Sequence, residues 1–401
     1  MRFIHLSDLH LGKRVNEFSM IEDQRYILTE ILSVIDDIRP DGVLIAGDIY
    51  DRSVPAEDAM KLWDDFLISL SERKVGVYAI SGNHDSAVRF SDHAPLIEST
   101  GIHLSPVYDG NTKRYTVSDG RVSVNIYLLP FIKPSVVRNI FIDRTCRSAD
   151  TTGNISDSLT TASGDDEIQI NNYTDACRTA IEHMDVDTGE INILVAHQFV
   201  TGAVRCDSEE ITVGGLDNVD ASVFDDFDYV ALGHIHGRQR IGRETLRYCG
   251  TPLKYSFSEK DHKKSVTVIE IKGKGDIDIS EIPLVPLHDM REIRGTYDEL
   301  MLKENYEKTD TDDYIHAVLT DEEDVIDAIH KLRTVYKNIM KLSYDNKRTQ
   351  SQQTVTDDVD MDKRSPLEIF EEFYEKQNNA PMSDKQREYM TETIESVWQT
   401  D

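Results

Sequence analysis

Five short apolar runs recur along the first two thirds of the chain, and polar residues follow each of them at once. The runs are Arg2–Leu6, Gly42–Ala46, Val75–Ile80, Ile191–Val195 and Tyr229–Leu232. They are rich in β-branched and aromatic residues and too short for helices, so we predict that each is a strand.

Between these runs, two longer stretches have the spacing of amphipathic helices. They are Glu22–Ile38 and Glu57–Leu70. Strands that alternate with helices predict an α/β fold in which the helices cover the faces of a sheet.

The residues that follow the five predicted strands share one kind of chemistry. They are Asp8, His10, Asp48, Asn83, His84, His197, His234 and His236. Open α/β sheets bind ligands outside the carboxyl ends of their strands, so we expect these side chains to meet. The alternative is that they are core histidines and turn residues, but five such strand ends in series make coincidence a poor explanation.

The side chains in this set favour a metal site. Carboxylate, imidazole and amide groups suit Mn, Fe or Zn better than an ion that prefers thiolates. Without His84, seven ligands remain, which is too many for one tetrahedral zinc and fits two ions if one carboxylate bridges them. Gly47, Gly82 and Gly233 would let backbone and substrate approach closely.

In chain order, the motifs Asp-x-His, Gly-Asp-x-x-Asp, Gly-Asn-His-Asp, a single His and Gly-His-x-His resemble the calcineurin-like metallophosphoesterase superfamily. The segments HLSDLHLGK, GNHDS, AHQF and GHIHGRQ resemble, within it, the SbcD family of nuclease subunits. The resemblance runs from Met1 to about Glu270 and continues more weakly through SPLEIFEEFY, from Ser365. It implies a sandwich of β-sheets flanked by helices, with a small α/β cap and C-terminal helices.

The resemblance also implies a role for each site residue. One ion would be held by Asp8, His10 and His236, the other by Asn83, His197 and His234, with Asp48 bridging them. His84 would face the scissile phosphate as a general acid. Asp51 would orient His84, touch the substrate or cap the next helix; we favour orientation.

The negative charge of the chain is unfavourable for DNA binding. The net charge is −30, and Asp298–Asp327 holds twelve acidic residues against only Lys303 and Lys308. Proteins that bind DNA through its phosphates normally present a basic face, so we expect stable binding to depend on a partner. Direct contacts with DNA would come from basic residues beside the motifs: Lys13, Arg14, Arg52, Arg89 and Arg238. The alternative for each is that it is an ordinary solvated surface residue.

Cysteine spacing and hydropathy bear on the location. Cys146, Cys177, Cys206 and Cys249 include no C-x-x-C pair, which favours reduced thiols. No apolar run has membrane-spanning length and Met1 leads directly into the first strand. We therefore expect a cytoplasmic protein. The resemblance to a family of DNA nucleases implies that it associates with the nucleoid.

The rest of the chain divides into further segments. Cys146–Asp166 is predicted to be a loop or insertion, and Lys264–Lys272 the last strand of the first domain. From about Leu284 the pattern predicts strands at Tyr314–Leu319 and Ile339–Ser343, with a helix at Glu323–Arg333 between them. The predicted domains are 1–275 (phosphoesterase), 284–346 (cap), 347–364 (linker) and 365–401 (helical module).

The C-terminal module has two capped amphipathic helices. Ser365 and Pro366 begin the first, and Ser383 caps the second. Short isolated helices need a surface to pack on, so the apolar residues Phe370, Phe373, Ile394 and Trp398 are predicted to bind a partner. The alternative is a hairpin packed on the chain's own body. In the family that the chain resembles, this region grips the partner's coiled coil.

The motifs predict hydrolysis of phosphoesters with two metal ions, and the resemblance implies a Mn-dependent DNA nuclease, both exonuclease and hairpin- or end-processing endonuclease. The resemblance implies a homodimer in complex with the SMC-like ATPase SbcC, acting in DNA end processing, repair and recombination. Mg or Fe are the alternatives to Mn. The competing functions are a small-molecule phosphodiesterase or phosphatase with the same site, and a non-catalytic scaffold.

Overall fold

The computed structural model describes residues 1–141, 170–209 and 217–346, and beyond them residues 367, 370, 371, 374, 382, 383, 385–387, 389 and 390. Three predicted features lie outside these residues: the insertion Cys146–Asp166, the linker 347–364, and the partner-binding residues Phe373, Ile394 and Trp398.

The strands are β1 Arg2–Leu6, β2 Arg14–Val15, β3 Phe18–Ser19, β4 Gly42–Ala46, β5 Gly76–Ile80, β6 Ile102–Leu104, β7 Lys113–Ser118, β8 Ser123–Leu129, β9 Ile191–His197, β10 Phe199–Val200, β11 Asn218–Val219, β12 Tyr229–Gly233, β13 Gln239–Ile241, β14 Arg243–Tyr248, β15 Ser265–Gly273, β16 Asp276–Pro283, β17 Met290–Gly295, β18 Tyr314–Leu319 and β19 Asn338–Tyr344. The α-helices are α1 Ile21–Ile38, α2 Glu57–Glu72, α3 Ala87–Ser91, α4 Ala94–Ile97, α5 134–141, α6 Tyr173–Glu182, α7 Tyr297–Met301, α8 Lys303–Tyr306 and α9 Ala328–Leu332.

Two six-stranded sheets face each other. The first has the order β16-β15-β1-β4-β5-β6 and the second β13-β14-β12-β9-β8-β7. β1, β4, β5 and β6 run parallel, as do β8, β9, β12 and β14. The carboxyl ends of β1, β4 and β5 therefore share one edge, as do those of β9 and β12, which positions the predicted ligands.

Both faces of the central strands of each sheet are buried. Phe3 and Leu44 of the first sheet pack against Ile193 and Ala231 of the second. On the outer faces, α1 and α2 cover the first sheet, and α5 and α6 cover the second. This explains why β4 and β9 read as continuous apolar runs rather than as alternating patterns.

A small parallel sheet of order β17-β18-β19 forms the cap, with α7 and α9 packed on it. Asp23 of α1 ties the cap to the first domain. Its carboxylate is 1% exposed and accepts hydrogen bonds from the Tyr314 hydroxyl at 2.6 Å and the His288 backbone N–H at 3.2 Å. A buried carboxylate thus holds the cap against α1.

The predicted elements agree with the structure closely at some places and differ at others. β1, β4 and β18 have the predicted bounds. The predicted helix Glu323–Arg333 is wrong in extent: only Ala328–Leu332 is helical, because Asp327 has a left-handed φ of 59° and four consecutive acidic residues precede it. The boundary proposed at residue 275 falls in the turn before β16, which pairs with β15 in the first sheet.

Candidate metal centre

The loops after β1 and β4 lie side by side at the edge of the first sheet. The backbone N–H of Asp8 donates to the carbonyl of Gly47 at 3.0 Å, and that of His10 to the carbonyl of Asp48 at 3.0 Å. The two loops therefore hold their polar side chains in a fixed relation to each other.

Two glycines are required where the strand ends meet. A Cβ atom on Gly82 would lie 2.1 Å from Asp48 Oδ1, and one on Gly233 would lie 1.8 Å from the carbonyl oxygen of Ala46. Neither position can hold any other residue without displacing the backbone. The expectation that glycine permits close approach at these two sites agrees with this geometry.

One trio of predicted ligands is Asp8, His10 and His236. They offer ligand atoms that all lie within 4.8 Å of one another, and all three are buried. The Nε2 atoms of His10 and His236 are 3.1 Å apart. We call these residues the first trio.

The second trio is Asn83, His197 and His234. Asn83 Oδ1 lies 2.9 Å from His197 Nε2 and 2.9 Å from His234 Nδ1. The backbone carbonyl of Ala46 accepts from His197 Nδ1 at 2.7 Å, which fixes the proton on Nδ1 and turns Nε2 towards the centre.

Asp48 lies between the trios, as a bridging ligand would. Its Oδ2 is 3.3 Å from His197 Nε2 and 3.8 Å from His10 Nε2. Burial would raise the pKa of Asp48, but the charge and hydrogen bond of His197 lower it well below its usual range. Burial likewise works to lower the pKa of His197, and the Asp48 carboxylate raises it to about 9.

The residues fit divalent metal ions on two observations. The side-chain oxygens of Asn83 and Asp48 face imidazole nitrogens. Their lone pairs repel one another unless a proton or a cation lies between them. In addition, His10 Nε2 and His236 Nε2 face each other at 3.1 Å, as two ligands of one ion would.

Backbone strain is concentrated in the same place. Asp8, His10, Asp48 and His234 have positive φ angles of 53°, 44°, 51° and 102°. Non-glycine residues adopt such angles at an energetic cost and do so mainly at functional sites.

His84 lies beside the bridging residue. Its Nε2 is 4.0 Å from Asp48 Oδ2, and its backbone N–H donates to Asp48 Oδ1 at 2.9 Å. The backbone carbonyl of Asp51 accepts from His84 Nδ1 at 3.1 Å. His84 therefore contacts the main chain of Asp51 and not its carboxylate.

The Asp51 carboxylate has other contacts. Its Oδ1 accepts from Lys13 Nζ at 2.6 Å and lies 3.7 Å from His10 Nδ1. Asp51 therefore acts on the first trio through its side chain and on His84 through its main chain.

A buried network behind His236 was missed from the sequence. Ser208 Oγ donates to Glu259 Oε1 at 2.6 Å and so accepts from His236 Nδ1 at 2.8 Å. Lys264 Nζ donates to Glu259 Oε2 at 2.5 Å. Such carboxylate–histidine arrangements fix which ring nitrogen faces a metal. No local motif marks these three residues.

Asp85 was quoted in a motif without a role, and the structure gives it one. Its carboxylate accepts from the backbone N–H groups of Ile49, Tyr50 and Gly82 at 2.9–3.1 Å. It thereby ties the loop that holds Asn83 and His84 to the loop that holds Asp48.

The five basic residues proposed to contact DNA are placed differently from one another. Arg52 and Arg89 are exposed. Lys13 is bound to Asp51, and Arg14 to the carbonyl of Glu17. Arg238 pairs with Glu281 at 2.7 Å.

In the described part of the C-terminal module, Phe370 lines an apolar cavity of about 280 Å³ together with Tyr374, Met382, Tyr389 and Met390. Within the module, Arg387 pairs with Glu371. The described residues from both predicted helices thus contact each other.

Comparison with known proteins places the chain in a class. The family model of the calcineurin-like phosphoesterases matches residues 1–238, more than half of the chain, so the protein is a calcineurin-like phosphoesterase. A second model, described as the Type 5 capsule protein repressor C-terminal domain, matches residues 286–378. The chain is 30% identical over 393 residues to the SbcD subunit of the SbcCD nuclease of Staphylococcus epidermidis, covering 96% of each chain. It therefore belongs to the SbcD family.

Two solved structures are distantly similar. TT1561 of Thermus thermophilus is 9% identical with a TM-score of 0.36, covering 70% of this chain and 98% of that one. A dimetal phosphatase from Danio rerio is 14% identical with a TM-score of 0.38, covering 71% and 99%. Within the described ranges, no helix has the length and apolar composition needed to cross a membrane.

Proposed function

We propose that the protein is a metal-dependent DNA nuclease that hydrolyses phosphodiester bonds, both at strand ends and at hairpins. The observation that carries the proposal is the convergence of two ligand trios on Asp48, with His84 beside them, in a chain 30% identical to a nuclease subunit. The first trio and the second trio would each hold one divalent ion, with Asp48 shared. Bound there, the ions would supply positive charge at the phosphate.

His84 would handle the proton. Because the Asp51 carbonyl accepts from Nδ1, Nε2 is the nitrogen directed towards Asp48 and the centre. A protonated Nε2 can donate to the leaving oxygen of the cleaved bond. The side chain is 16% exposed, so it is accessible to a substrate.

Mn is the proposed metal because four of the seven proposed ligands are histidines, and Mn accepts imidazole ligands more readily than Mg, which prefers oxygen. A nuclease assay with each metal tests this. We expect cleavage of blunt and hairpin DNA with Mn and weaker cleavage with Mg. Faster turnover of a cyclic nucleotide than of DNA would instead support the small-molecule phosphodiesterase.

The proposed partner is an SMC-like ATPase, SbcC, in an assembly that contains two copies of this chain and associates with the nucleoid in the cytoplasm. The net charge of −30 supports a partner, since an acidic protein gains little from phosphate contacts of its own. The apolar cavity around Phe370 supports the C-terminal module as the docking element.

Deletion of Ser365–Asp401 tests the partner. The deleted residues contribute nothing to the two trios, so the catalytic domain should stay folded. Burial of large apolar side chains is worth about 1.5–3 kcal/mol each, so partner binding should weaken by orders of magnitude. A pull-down with the ATPase compares the full-length and truncated chains. Equal retention of both would show that the module packs on its own body.

A further inference from the structure

Beside the second trio lies a cavity of about 170 Å³ that the proposed chemistry does not use. Asn83 and His234 line the side next to the metal centre. Phe131, Tyr173 and Gln198 line other parts of it. A ligand in this cavity would therefore lie next to any phosphate held at the centre.

Two of the lining residues suit a planar ligand. The ring centroids of Phe131 and Tyr173 are 6.3 Å apart with an angle of 38° between the planes. Both residues are only half-buried, so their rings remain accessible from the cavity. Phe199 lines the cavity as well, but the guanidinium of Arg205 already lies 3.7 Å from its ring centroid. Aromatic faces that line a small cavity favour a stacked ring.

Gln198 adds a polar group that lacks a partner. Its side chain is fully buried, and Oε1 forms no hydrogen bond with any described residue. Its Nε2 lies 3.4 Å from the carbonyl of Ile132, so turning the amide over would set two oxygens against each other. A buried, unsatisfied acceptor costs stability, and a ligand that donates an N–H to it would recover that cost.

The ligand is defined by these three features together. The volume is below the roughly 300–1,000 Å³ of pockets for drug-sized molecules, so the cavity fits a single ring system. The ligand must be planar, must carry an N–H donor, and must lie beside a phosphate. Unpaired nucleobases meet all three conditions, because each has a π-face and an N–H on its Watson–Crick edge.

We propose that this cavity receives one unpaired base of the strand being cut, stacked on Phe131 and Tyr173 and hydrogen-bonded to Gln198 Oε1. The inference rests on the proposed nuclease function and specifies its substrate: a strand end or loop in which a base is free of its partner. Base pairing hides the N–H groups that Gln198 would accept, so a fully paired strand cannot use the cavity.

The test uses short single-stranded DNA with one hydrolysable phosphodiester, the other linkages being methylphosphonates. In a matched series, each nucleotide beside the cleavable bond is replaced in turn by an abasic residue. Wild-type protein should show one position where loss of the base raises KM by roughly 5- to 150-fold, the range expected for base–aromatic stacking, with kcat little changed. Phe131→Leu should raise KM for the intact DNA and remove the effect of the abasic residue, whereas Phe131→Tyr should keep both near wild type.

The outcomes separate this inference from the proposed function. If wild-type protein, assayed together with the SMC-like ATPase and ATP, cleaves none of the DNAs with Mn or Mg, the nuclease function itself is wrong. If it cleaves them all with the same KM, the function stands and the base-binding cavity is wrong.

A second variant tests Gln198 independently of the rings. Gln198→Leu should raise KM for intact DNA by roughly 2- to 10-fold, the value of one neutral hydrogen bond. Because it removes an unsatisfied buried acceptor, it should not lower the melting temperature, and bound metal should be unchanged. A lower melting temperature with unchanged KM would show that Gln198 is structural and would overturn its role in base binding.

Discussion

The two trios of the metal centre are supported by different parts of the molecule. Behind the first trio, His236 is hydrogen-bonded to Ser208, which is bonded to the buried carboxylate of Glu259. Behind the second trio, His197 is hydrogen-bonded to a backbone carbonyl, that of Ala46. Substitution of Ser208 can therefore weaken the first trio without changing a ligand. The hydrogen bond that holds His197 cannot be removed in this way, because its acceptor is a backbone carbonyl.

The trios also differ in charge and in their surroundings. The first contains the carboxylate of Asp8, whereas the second contains the neutral amide of Asn83 and borders the cavity lined by Phe131. Carboxylates bind divalent ions more strongly than amides do, because they carry charge. We therefore expect the first trio to hold its ion more tightly and the second to be the one that meets the substrate.

Loss of the shared ligand should have the largest effect, because both trios depend on it. Asp48→Ala should abolish cleavage and lower bound metal from two ions towards one or none. Metal analysis of the purified protein checks this, with Asp92→Ala as the control, since Asp92 is 70% exposed. Metal content that is unchanged in Asp48→Ala would show that Asp48 is not a ligand.

The next largest effect should come from His84, which belongs to neither trio. His84→Ala should slow hydrolysis by roughly 10²–10⁴-fold, the usual contribution of a positioned acid, and leave the metal content of both trios unchanged. Rates and metal content are measured on the same preparations. His93→Ala is the control, because His93 is 76% exposed. A loss of metal in His84→Ala would place His84 among the ligands.

Support from side chains can be tested at Ser208. Ser208→Ala removes the hydrogen-bond partner of His236 Nδ1 while leaving the Lys264–Glu259 pair intact. Removing such a hydrogen-bond partner of a ligand usually lowers metal affinity 10–100-fold. We expect this loss for the ion held by the first trio, and therefore in only one of the two phases of metal binding. Titration with Mn followed by calorimetry measures both phases. Ser69→Ala in α2 is the control.

Equal weakening of both phases in Ser208→Ala would mean that the trios are not independently supported. Glu259→Gln should weaken the same phase and also lower thermal stability, because it leaves the buried Lys264 without its countercharge. The two variants together separate positioning of His236 from general destabilisation.

Sequence reasoning succeeded where the information is local. Asp8 and His10 follow β1 directly, and a strand fixes where the next residues lie; the eight motif residues accordingly meet at one place. It failed where neither partner belongs to a motif at the end of a predicted strand. Ser208 and Glu259 are separated by 51 positions, and nothing in either segment indicates that they meet.

Other misses have local causes. β17 was not predicted, because Arg291, Glu292 and Arg294 give its sequence the polar composition of a loop. In the structure it pairs in parallel with β18. At Asp51, the main-chain carbonyl contacts His84, and a sequence motif does not show which atom of a residue makes a contact.

Substitution of Asp51 should have the smallest effect. It also tests whether the side chain or the main chain of Asp51 acts on His84. Asp51→Asn keeps the backbone carbonyl that accepts from His84 Nδ1 and removes the charge that pairs with Lys13 beside His10. A partly exposed ion pair is worth up to about 1 kcal/mol, so we expect at most about a 5-fold change in rate. The measurement is kcat for Asp51→Asn with and without His84→Ala. A loss as large as that of His84→Ala alone, with no further loss in the double variant, would show that the carboxylate and His84 act as one unit. A small loss that adds to that of His84→Ala would instead assign the Asp51 side chain to the first trio, because it then acts through His10 and Lys13.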